Sequence, residues 1–288
     1  GFPPPFLEWN DRFRDDVRRF WRGDAGTVGA LATRLAGSSD VFGHGRGQKT
    51  RTVNFLAAHD GMTLADLAAY GHRHNEANGE ENRDGHGDDL SWNNGVEGAS
   101  ADPEIAVRRA RDVRALLATL FASRGTIMLT AGDEFGRTQG GNNNAYAQDN
   151  EVTWLDWDGR DRELEAFAAS LSALRRKVPA LAETDFLTGS PPEAPDVAWL
   201  TETGAPMDEA AWRDAARRRL TMLLGEGTRQ GGRLAVLVNG DRRACRFCLP
   251  QRAGWRWMPA LEPATDISRA LPGRSVTLMT EEGESDDE

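Results

Sequence analysis

Two polar residues, His59 and Asp60, follow a short apolar run and are the first side chains in the chain suited to chemistry. The run, residues 51–58, contains Val and Phe and indicates a buried parallel strand. A carboxylate at the end of such a strand can face positive charge developing on a substrate, and a neighbouring imidazole can hydrogen-bond a hydroxyl. By position alone, an Asp that caps a helix beside a structural His is an equally good interpretation.

A second acidic pair, Asp133 and Glu134, follows another apolar run, residues 126–131, through Gly132. Glycine allows the sharp turn that such a junction needs. The two carboxylates are placed to orient an Arg or His across the end of the sheet. Acids at a helix N-terminus would produce the same pattern.

An Asn-rich stretch, residues 140–150, supplies a third group of polar side chains, which includes Asn143, Asn144, Tyr146 and Asp149. Amides and a carboxylate offer paired donors and acceptors, which suits a polyhydroxyl sugar. The Tyr146 ring offers a stacking face. A turn-rich loop with no ligand would also use Asn and Gly.

The long polar segment 71–102 contains His72, His74 and His86 among several acids. These side chains could ligate a metal, but their spacing matches no specific site. Cys245 and Cys248 form a lone C-x-x-C without a second ligand pair. The sequence therefore predicts no metal and no cofactor, and favours a loop that shapes a cleft.

Helices and strands alternate in the first part of the chain. Apolar periodicity predicts helices over 10–22, 27–36, 63–70, 102–121 and 160–178. Asn10, Thr63 and Asp102 are the predicted N-caps of three of them, and Pro179 is expected to stop the last. With the two apolar runs, this is the βα alternation of a parallel sheet or barrel. Carboxylates at the carboxyl ends of strands are where such folds place function.

After about residue 180, Pro- and Gly-rich segments separate short strands, and this predicts an antiparallel β-domain. The predicted strands are 197–200, 219–224, 234–239, 244–249 and 275–280. Residues 206–216 indicate a helical insert. The expected division is a barrel portion over 1–180, a β-domain over 181–280 and a disordered acidic tail over 281–288.

Charge and composition exclude several classes of partner. The net charge is -10, and no basic stripe indicates binding to nucleic acid. No apolar run approaches the roughly 20 residues that span a membrane. The sequence predicts no secretory leader, and two cysteines make no disulfide framework. The sequence predicts a cytoplasmic protein with a neutral substrate and no membrane partner.

Several of these stretches, taken in order, resemble the isoamylase-like glycogen debranching enzymes of the α-amylase superfamily of glycoside hydrolases. The stretches are FPPP (2–5), EWNDRFRD (8–15), AAHDG (57–61), HNEANGEENRDG (74–85), AGDE (131–134), GNNNAYAQDN (141–150) and TWLDW (153–157).

The resemblance implies an α/β fold: the C-terminal part of a (β/α)₈ TIM barrel followed by a small antiparallel β-sandwich. It implies retaining hydrolysis of α-1,6 branch linkages in glycogen or branched α-glucan, using three carboxylates. Of these only the transition-state stabiliser maps onto this sequence, at Asp60, after the seventh strand. The nucleophile and acid/base are expected before Gly1.

The resemblance also implies the remaining site residues. Beside Asp60 as the catalytic residue, substrate contacts are expected from His59, Asp133, Glu134, Asn143, Asn144, Tyr146 and Asp149.

Two alternatives stay open. One is an α-glucan hydrolase or transglycosylase acting on α-1,4 bonds. The sequence of the 71–102 loop disfavours it, because that loop resembles the debranching type. The other is a non-catalytic glucan-binding fragment. On either the leading interpretation or the second alternative, the isolated chain is expected to be inactive and, with open strand edges, prone to aggregate.

Overall fold

The computed structural model describes residues 5–43, 49–192, 195–225, 232–261 and 270–283. The α-helices in these ranges are α1 Asp11–Arg22, α2 Val28–Leu35, α3 Ser39–Phe42, α4 Leu64–Leu67, α5 Pro103–Phe121, α6 Arg162–Lys177, α7 Pro179–Ala182 and α8 Glu209–Arg213. Short 3-10 helices are Glu76–Asn78, Asp133–Phe135 and Ala145–Ala147. The strands are β1 Glu8–Trp9, β2 Thr52–Asn54, β3 Thr126–Ile127, β4 Val197–Leu200, β5 Arg219–Leu224, β6 Leu234–Asn239, β7 Trp255–Pro259 and β8 Ser275–Gly283.

The predicted parallel sheet is confirmed, with β2 between β1 and β3. Both pairings are parallel, with Glu8 opposite Thr52 and Val53 opposite Thr126. Strands β2 and β3 are shorter than the apolar runs that predicted them. Beyond β2 the chain leaves the ladder while Phe55, Leu56 and Ala57 stay buried, whereas residues 128–130 beyond β3 are only partly buried. β1 was not predicted, since two residues beside a Pro-rich stretch show no periodicity.

Local capping explains where the helices begin. The Asn10 side chain accepts a hydrogen bond from Phe13 N at 3.0 Å, and Asp102 accepts one from Glu104 N at 2.8 Å. Thr63 caps α4 in the same way, as predicted. Pro179, expected to stop α6, also starts α7 as its first residue, where a missing N–H has no cost.

The five later strands form one antiparallel sheet in the order β4-β5-β6-β8-β7, which confirms the antiparallel prediction. Three strands have the predicted bounds, whereas β7 was missed. Residues 244–249 are not a strand, and only a bridge joins Cys245 to Leu271. The side chains of Phe247 and Leu249 are instead buried against one face of the sheet, so this segment covers the sheet rather than extending it. The described antiparallel strands form one sheet, where the family resemblance implied a sandwich of two.

Each face of this sheet packs against other parts of the chain. One face, with Met222 and Val236, joins a core shared with α1, α2, α5 and α6. The other face, with Leu223 and Leu237, packs against Phe247 and Leu271. Alternate side chains of each strand therefore meet different partners, as the period of two requires.

The start of the predicted acidic tail is corrected by the structure. Glu281 lies within β8, is buried, and pairs with Arg233 at 2.5 Å and Arg252 at 2.8 Å. A carboxylate with two cationic partners can be buried, which composition alone does not reveal. The rest of the expected tail, 284–288, lies outside the described residues. The described helices include none with the length and hydropathy needed to cross a membrane.

Candidate functional site

The chain beyond β2 delivers His59 and Asp60 to the carboxyl end of the parallel sheet. Leu56 and Ala57 are buried, and their carbonyls accept hydrogen bonds from Arg18 Nε at 2.9 Å and from Thr130 Oγ1 at 2.8 Å. The next two side chains then emerge, with 73% of His59 and 54% of Asp60 exposed. His59 Nε2 lies 3.3 Å from Asp60 Oδ2, so the two groups form an adjacent pair at the surface.

His59 lines a cavity of about 560 Å³ that all three parallel strands help to form. Trp9 comes from the end of β1, His59 from beyond β2, and residues 128–131 from beyond β3. Tyr146, from the Asn-rich loop, completes one side. The rings of Trp9 and Tyr146 are 52% and 83% exposed, which leaves their faces accessible to a ligand.

Asp60 lines a second cavity of about 250 Å³ with strongly polar walls. Arg18 and Asp89 form its buried floor, with Arg18 donating to the Asp89 carbonyl at 2.7 Å. Burial lowers the pKa of the Arg18 guanidinium to about 10, against the opposing effect of Asp89. His86 and Asp88 from the long loop also line this cavity, so that loop does shape a cleft.

Asp133 and Glu134 are placed differently from the expectation. Asp133 is 2% exposed, and its Oδ1 accepts a hydrogen bond from Leu64 N, at the start of α4, at 3.0 Å. Burial raises the pKa of Asp133 to about 7, although the Leu64 N–H acts in the opposite direction. Glu134 accepts from Gly132 N at 2.8 Å. Neither residue lines either cavity. Asp133 accepts at the N-terminus of α4, whereas the sequence pattern concerned the helix that the acid pair itself would begin.

Asn143 is also buried, whereas the resemblance implied that it contacts the substrate directly. It has no exposed surface, and its amide donates to Asp89 Oδ2 at 2.6 Å and accepts from Asn75 Nδ2 at 2.8 Å. Its carbonyl accepts from Gly61 N at 2.9 Å. Asn143 therefore holds the backbone next to Asp60, because a buried amide must satisfy its polar atoms internally.

The other predicted residues of this loop divide between structure and surface. Asn144 donates to Asp84 Oδ2 at 2.8 Å and so joins the loop to the 71–102 segment. Asp149 is exposed and accepts from Trp154 Nε1 at 3.1 Å, outside the linings of both cavities. Tyr146 is the member of the group that faces the first cavity.

The long loop is held at its base by Glu97. Burial raises the pKa of this carboxyl, but hydrogen bonds from Gly71 N, Asn93 and His74 outweigh it and lower the pKa to about 2. Sequence reasoning did not single out Glu97 or Trp9. Glu97 lies 23 residues from His74, and no local pattern signals a contact over that distance.

Comparison with known proteins shows which sequences this chain is similar to. The chain is similar to the glycogen debranching enzyme of Dickeya chrysanthemi, with 46% identity over 92% of this chain and 39% of that protein. It is 46% identical to a glycogen operon protein GlgX homolog of Mycobacterium tuberculosis over 74% of this chain and 30% of that protein. The chain therefore spans well under half the length of these relatives. No protein-family model matches it.

Solved structures with a similar fold include pullulanases. The enzyme from Paenibacillus barengoltzii, in complex with maltohexaose and alpha-cyclodextrin, superposes with a TM-score of 0.65 at 23% identity, over 96% of this chain and 39% of that one. The enzyme from Bacillus acidopullulyticus gives a TM-score of 0.62 at 18% identity, over 95% of this chain and 30% of that one. At these identities the likeness concerns the fold.

Proposed function

We propose that this chain, as a homologue of the bacterial glycogen debranching enzymes, contributes part of an active site that hydrolyses α-1,6 branch linkages in glycogen or limit dextrin. The observation that carries the proposal is the adjacent, exposed pair His59 and Asp60. The pair lies beyond the central strand of a parallel sheet, between two cavities.

In this proposal, β1, β2 and β3 are the sixth, seventh and eighth strands of a (β/α)₈ barrel. Their order and parallel pairing fit consecutive barrel strands, and active sites of such barrels form at the carboxyl ends of the strands. The antiparallel sheet belongs to the β-domain that follows the barrel. The division at residue 180 is part of the same proposal, as is a cytoplasmic location.

Asp60 acts as the carboxylate that stabilises the transition state. Retaining glycosidases pass through an oxocarbenium-like transition state, in which positive charge grows on the sugar ring. A fixed carboxylate that accepts from the 2- and 3-hydroxyls binds more strongly as that charge develops, which is the condition for catalysis rather than simple binding. His59 donates to a hydroxyl of the same sugar.

The nucleophile and the acid/base come from a segment equivalent to the part of the relatives that this chain does not cover. The nucleophile attacks the anomeric carbon while the acid protonates the departing 6-oxygen, and water then hydrolyses the glycosyl-enzyme. The two carboxylates would stand about 5–5.5 Å apart. Trp9 and Tyr146 give the neutral glucan apolar ring faces in the cavity that His59 lines.

A chimera tests this proposal. The 288-residue chain is joined to the part of the Dickeya chrysanthemi enzyme that it does not cover, and release of linear chains from glycogen limit dextrin is measured. The chimera is expected to debranch, and Asp60→Asn should lower kcat by about 10²–10³, as expected for loss of a group that stabilises the transition state. The exposed Asp158 provides a matched control, since Asp158→Asn should leave kcat unchanged.

Other outcomes identify the alternatives. Cleavage of unbranched maltodextrin in preference to limit dextrin would indicate an α-1,4-acting enzyme. A folded chimera that binds glucan without hydrolysing it would indicate a glucan-binding module. An unchanged kcat in Asp60→Asn would remove Asp60 from the catalytic site.

A further inference from the structure

A cluster of two imidazoles and a carboxylate lies at the base of the 71–102 loop, outside both cavities of the proposed active site. Within the described part of the chain, the ligand atoms of His72, His74 and Glu97 lie within 4.8 Å of one another. His72 Nδ1 is 3.2 Å and His74 Nε2 is 2.9 Å from the same Glu97 oxygen, Oε1. The two rings are adjacent, with centroids 4.6 Å apart.

These three atoms form a donor set that transition metals prefer. Two imidazole nitrogens and one carboxylate oxygen are the protein ligands of several catalytic zinc sites, which keep a further position for water. Bond lengths to zinc are about 2.0–2.2 Å, so neighbouring ligand atoms end up about as far apart as these three already lie.

The surroundings hold two of the ligands in place. Glu97 uses its second oxygen, Oε2, to accept from Gly71 N at 2.8 Å and from Asn93 Nδ2 at 2.9 Å. His74 is fixed by its backbone N–H, which donates to the Gly141 carbonyl at 2.8 Å, and by edge contact of its ring with Tyr70. Such outer contacts orient the ligands of known metal sites. His72, 67% exposed, leaves one side open to water.

We propose that His72, His74 and Glu97 form a binding site for one divalent transition-metal ion, for which Zn²⁺ is the probe. The site is independent of the debranching proposal, because none of its three residues lines the cavities beside His59 and Asp60. A bound ion would join the two ends of the loop, residues 72–74 and residue 97. The loop carries His86 and Asp88 to the Asp60 cavity, so the ion would brace one wall of that cavity.

Titration of Zn²⁺ into metal-stripped protein tests the site. The background carries Cys245→Ser and Cys248→Ser, so that neither thiol contributes to binding. Calorimetry should detect one equivalent of Zn²⁺ per chain, with an accompanying rise in Tm, since a ligand that binds only the folded state stabilises it. Co²⁺ in place of Zn²⁺ should show the visible absorption of a ligated ion.

Three variants locate the binding. His72→Ala and Glu97→Gln should each weaken Zn²⁺ affinity tenfold or more, by analogy with loss of ligand-orienting contacts at known sites. His86→Ala, an exposed His of the same loop, should bind Zn²⁺ as the parent does. The exposed position of His72 makes its Ala variant the one best able to fold. Repeating the titration in the chimera described above covers the case in which the 288-residue chain aggregates.

The proposal is overturned if no stoichiometric Zn²⁺ binding is found in the folded protein. It is equally overturned if His72→Ala and Glu97→Gln bind like the parent. In that event the two imidazoles serve only as hydrogen-bond partners that hold Glu97. Debranching activity in the chimera is a separate readout, so failure of the metal site and failure of the proposed function can be told apart.

Discussion

At the scale of single residues, burial separates side chains of the same type into different roles. Asp60 is half-exposed between two cavities, whereas Asp133 is buried and accepts from the N-terminus of α4. Asn143 and Asn144 hold loops together, although they looked like sugar-binding amides in the sequence. A polar side chain is available to a ligand where it is exposed beside a cavity, as His59 and Asp60 are, rather than hydrogen-bonded within a loop.

Asp133 should make the stability of the fold depend on pH. Burial raises its pKa from the ordinary value of 3.8 to about 7, so the folded protein holds this proton to higher pH than the unfolded chain does. The associated stability is fully present below about pH 4. It is lost as pH rises through about 7, with a slope of about 1.4 kcal/mol per pH unit.

Asp133→Asn isolates this effect, because the amide has no proton to lose and still accepts from Leu64 N. Urea unfolding of both proteins is measured between about pH 4.5 and about pH 8. The variant is expected to gain stability relative to the parent as pH rises, and the difference should level off above about pH 7. Curves that stay parallel across this range would show that Asp133 ionises normally.

At the scale of elements, the candidate site depends on two loops that are fixed against each other. His74 N donates to Gly141 O, and Asn75 exchanges hydrogen bonds with Asn143 through its side chain. Asn78 and Asn144 add further links. Each loop contains only one short 3-10 turn in its described residues, Glu76–Asn78 and Ala145–Ala147, so these side-chain bonds take the place of a backbone ladder between the loops.

Close approach of the Asn-rich loop to Tyr70 can be tested at two adjacent glycines. A Cβ at Gly141 would lie 2.6 Å from the Tyr70 ring, whereas one at Gly140 would meet nothing within 4 Å. Both glycines have positive φ, 65° and 80°, so an Ala at either costs about 1–2 kcal/mol from backbone strain. Gly141→Ala should cost about 1–3 kcal/mol more than Gly140→Ala, because the ring must move.

Urea unfolding of the two Ala variants provides the measurement. The Gly140→Ala variant controls for backbone strain, and the difference between the two reports the packing against Tyr70. Equal losses of stability would mean that the loop does not rest on this ring.

At the scale of the whole molecule, Arg274 links the antiparallel sheet to the helices. It precedes β8 and donates from Nε to Asp112 Oδ1 in α5 at 2.6 Å, and from Nη1 to the Trp21 carbonyl in α1. The guanidinium also lies over the rings of Trp21 and Trp92, at 5.6 and 5.3 Å. One side chain thus connects three elements that are far apart in sequence.

Replacing Arg274 by Met should lower the free energy of unfolding. Asp112 is 1% exposed, and Arg274→Met leaves it with only neutral donors from Trp92 and Asn94. We expect a loss of about 3 kcal/mol in unfolding free energy, the low end of the range for unpairing a buried charge.

Arg256→Met is the control for the Arg274 variant, because Arg256 and Glu282 form an exposed pair 3.9 Å apart. It should cost less than about 1 kcal/mol. Adding Asp112→Asn to Arg274→Met should recover part of the loss. A double variant no more stable than the single one would contradict the assignment to an unpaired charge.

Another expectation at this scale concerns activity of the 288-residue chain without a partner segment. Asp60 alone cannot form a glycosyl-enzyme or protonate a leaving group, so the purified chain should release no reducing ends from limit dextrin. A sensitive reducing-sugar assay, with the chimera as positive control, measures this. Measurable hydrolysis by the isolated chain would place the missing carboxylates within these 288 residues.

Sequence determined the features that depend on near neighbours. The caps at Asn10, Thr63 and Asp102, the helices they start, and strands β5 and β6 were predicted because capping and apolar periodicity act over a few residues. The same holds for His59 and Asp60, whose place directly after an apolar run indicated an accessible pair at a strand end. The family resemblance rested on the same stretches.

Tertiary structure alone decided what depends on contacts between distant parts of the chain. The cluster of His72, His74 and Glu97 exists because the 71–102 loop returns on itself. Strand β7 pairs with β8, whereas the local pattern predicted a strand at 244–249 instead. Burial of Asp133, Asn143 and Glu281 depends on hydrogen-bond partners that lie 69, 54 and 48 residues away along the chain. A sequence window does not contain those partners, and burial of a polar group is stable only where they meet it.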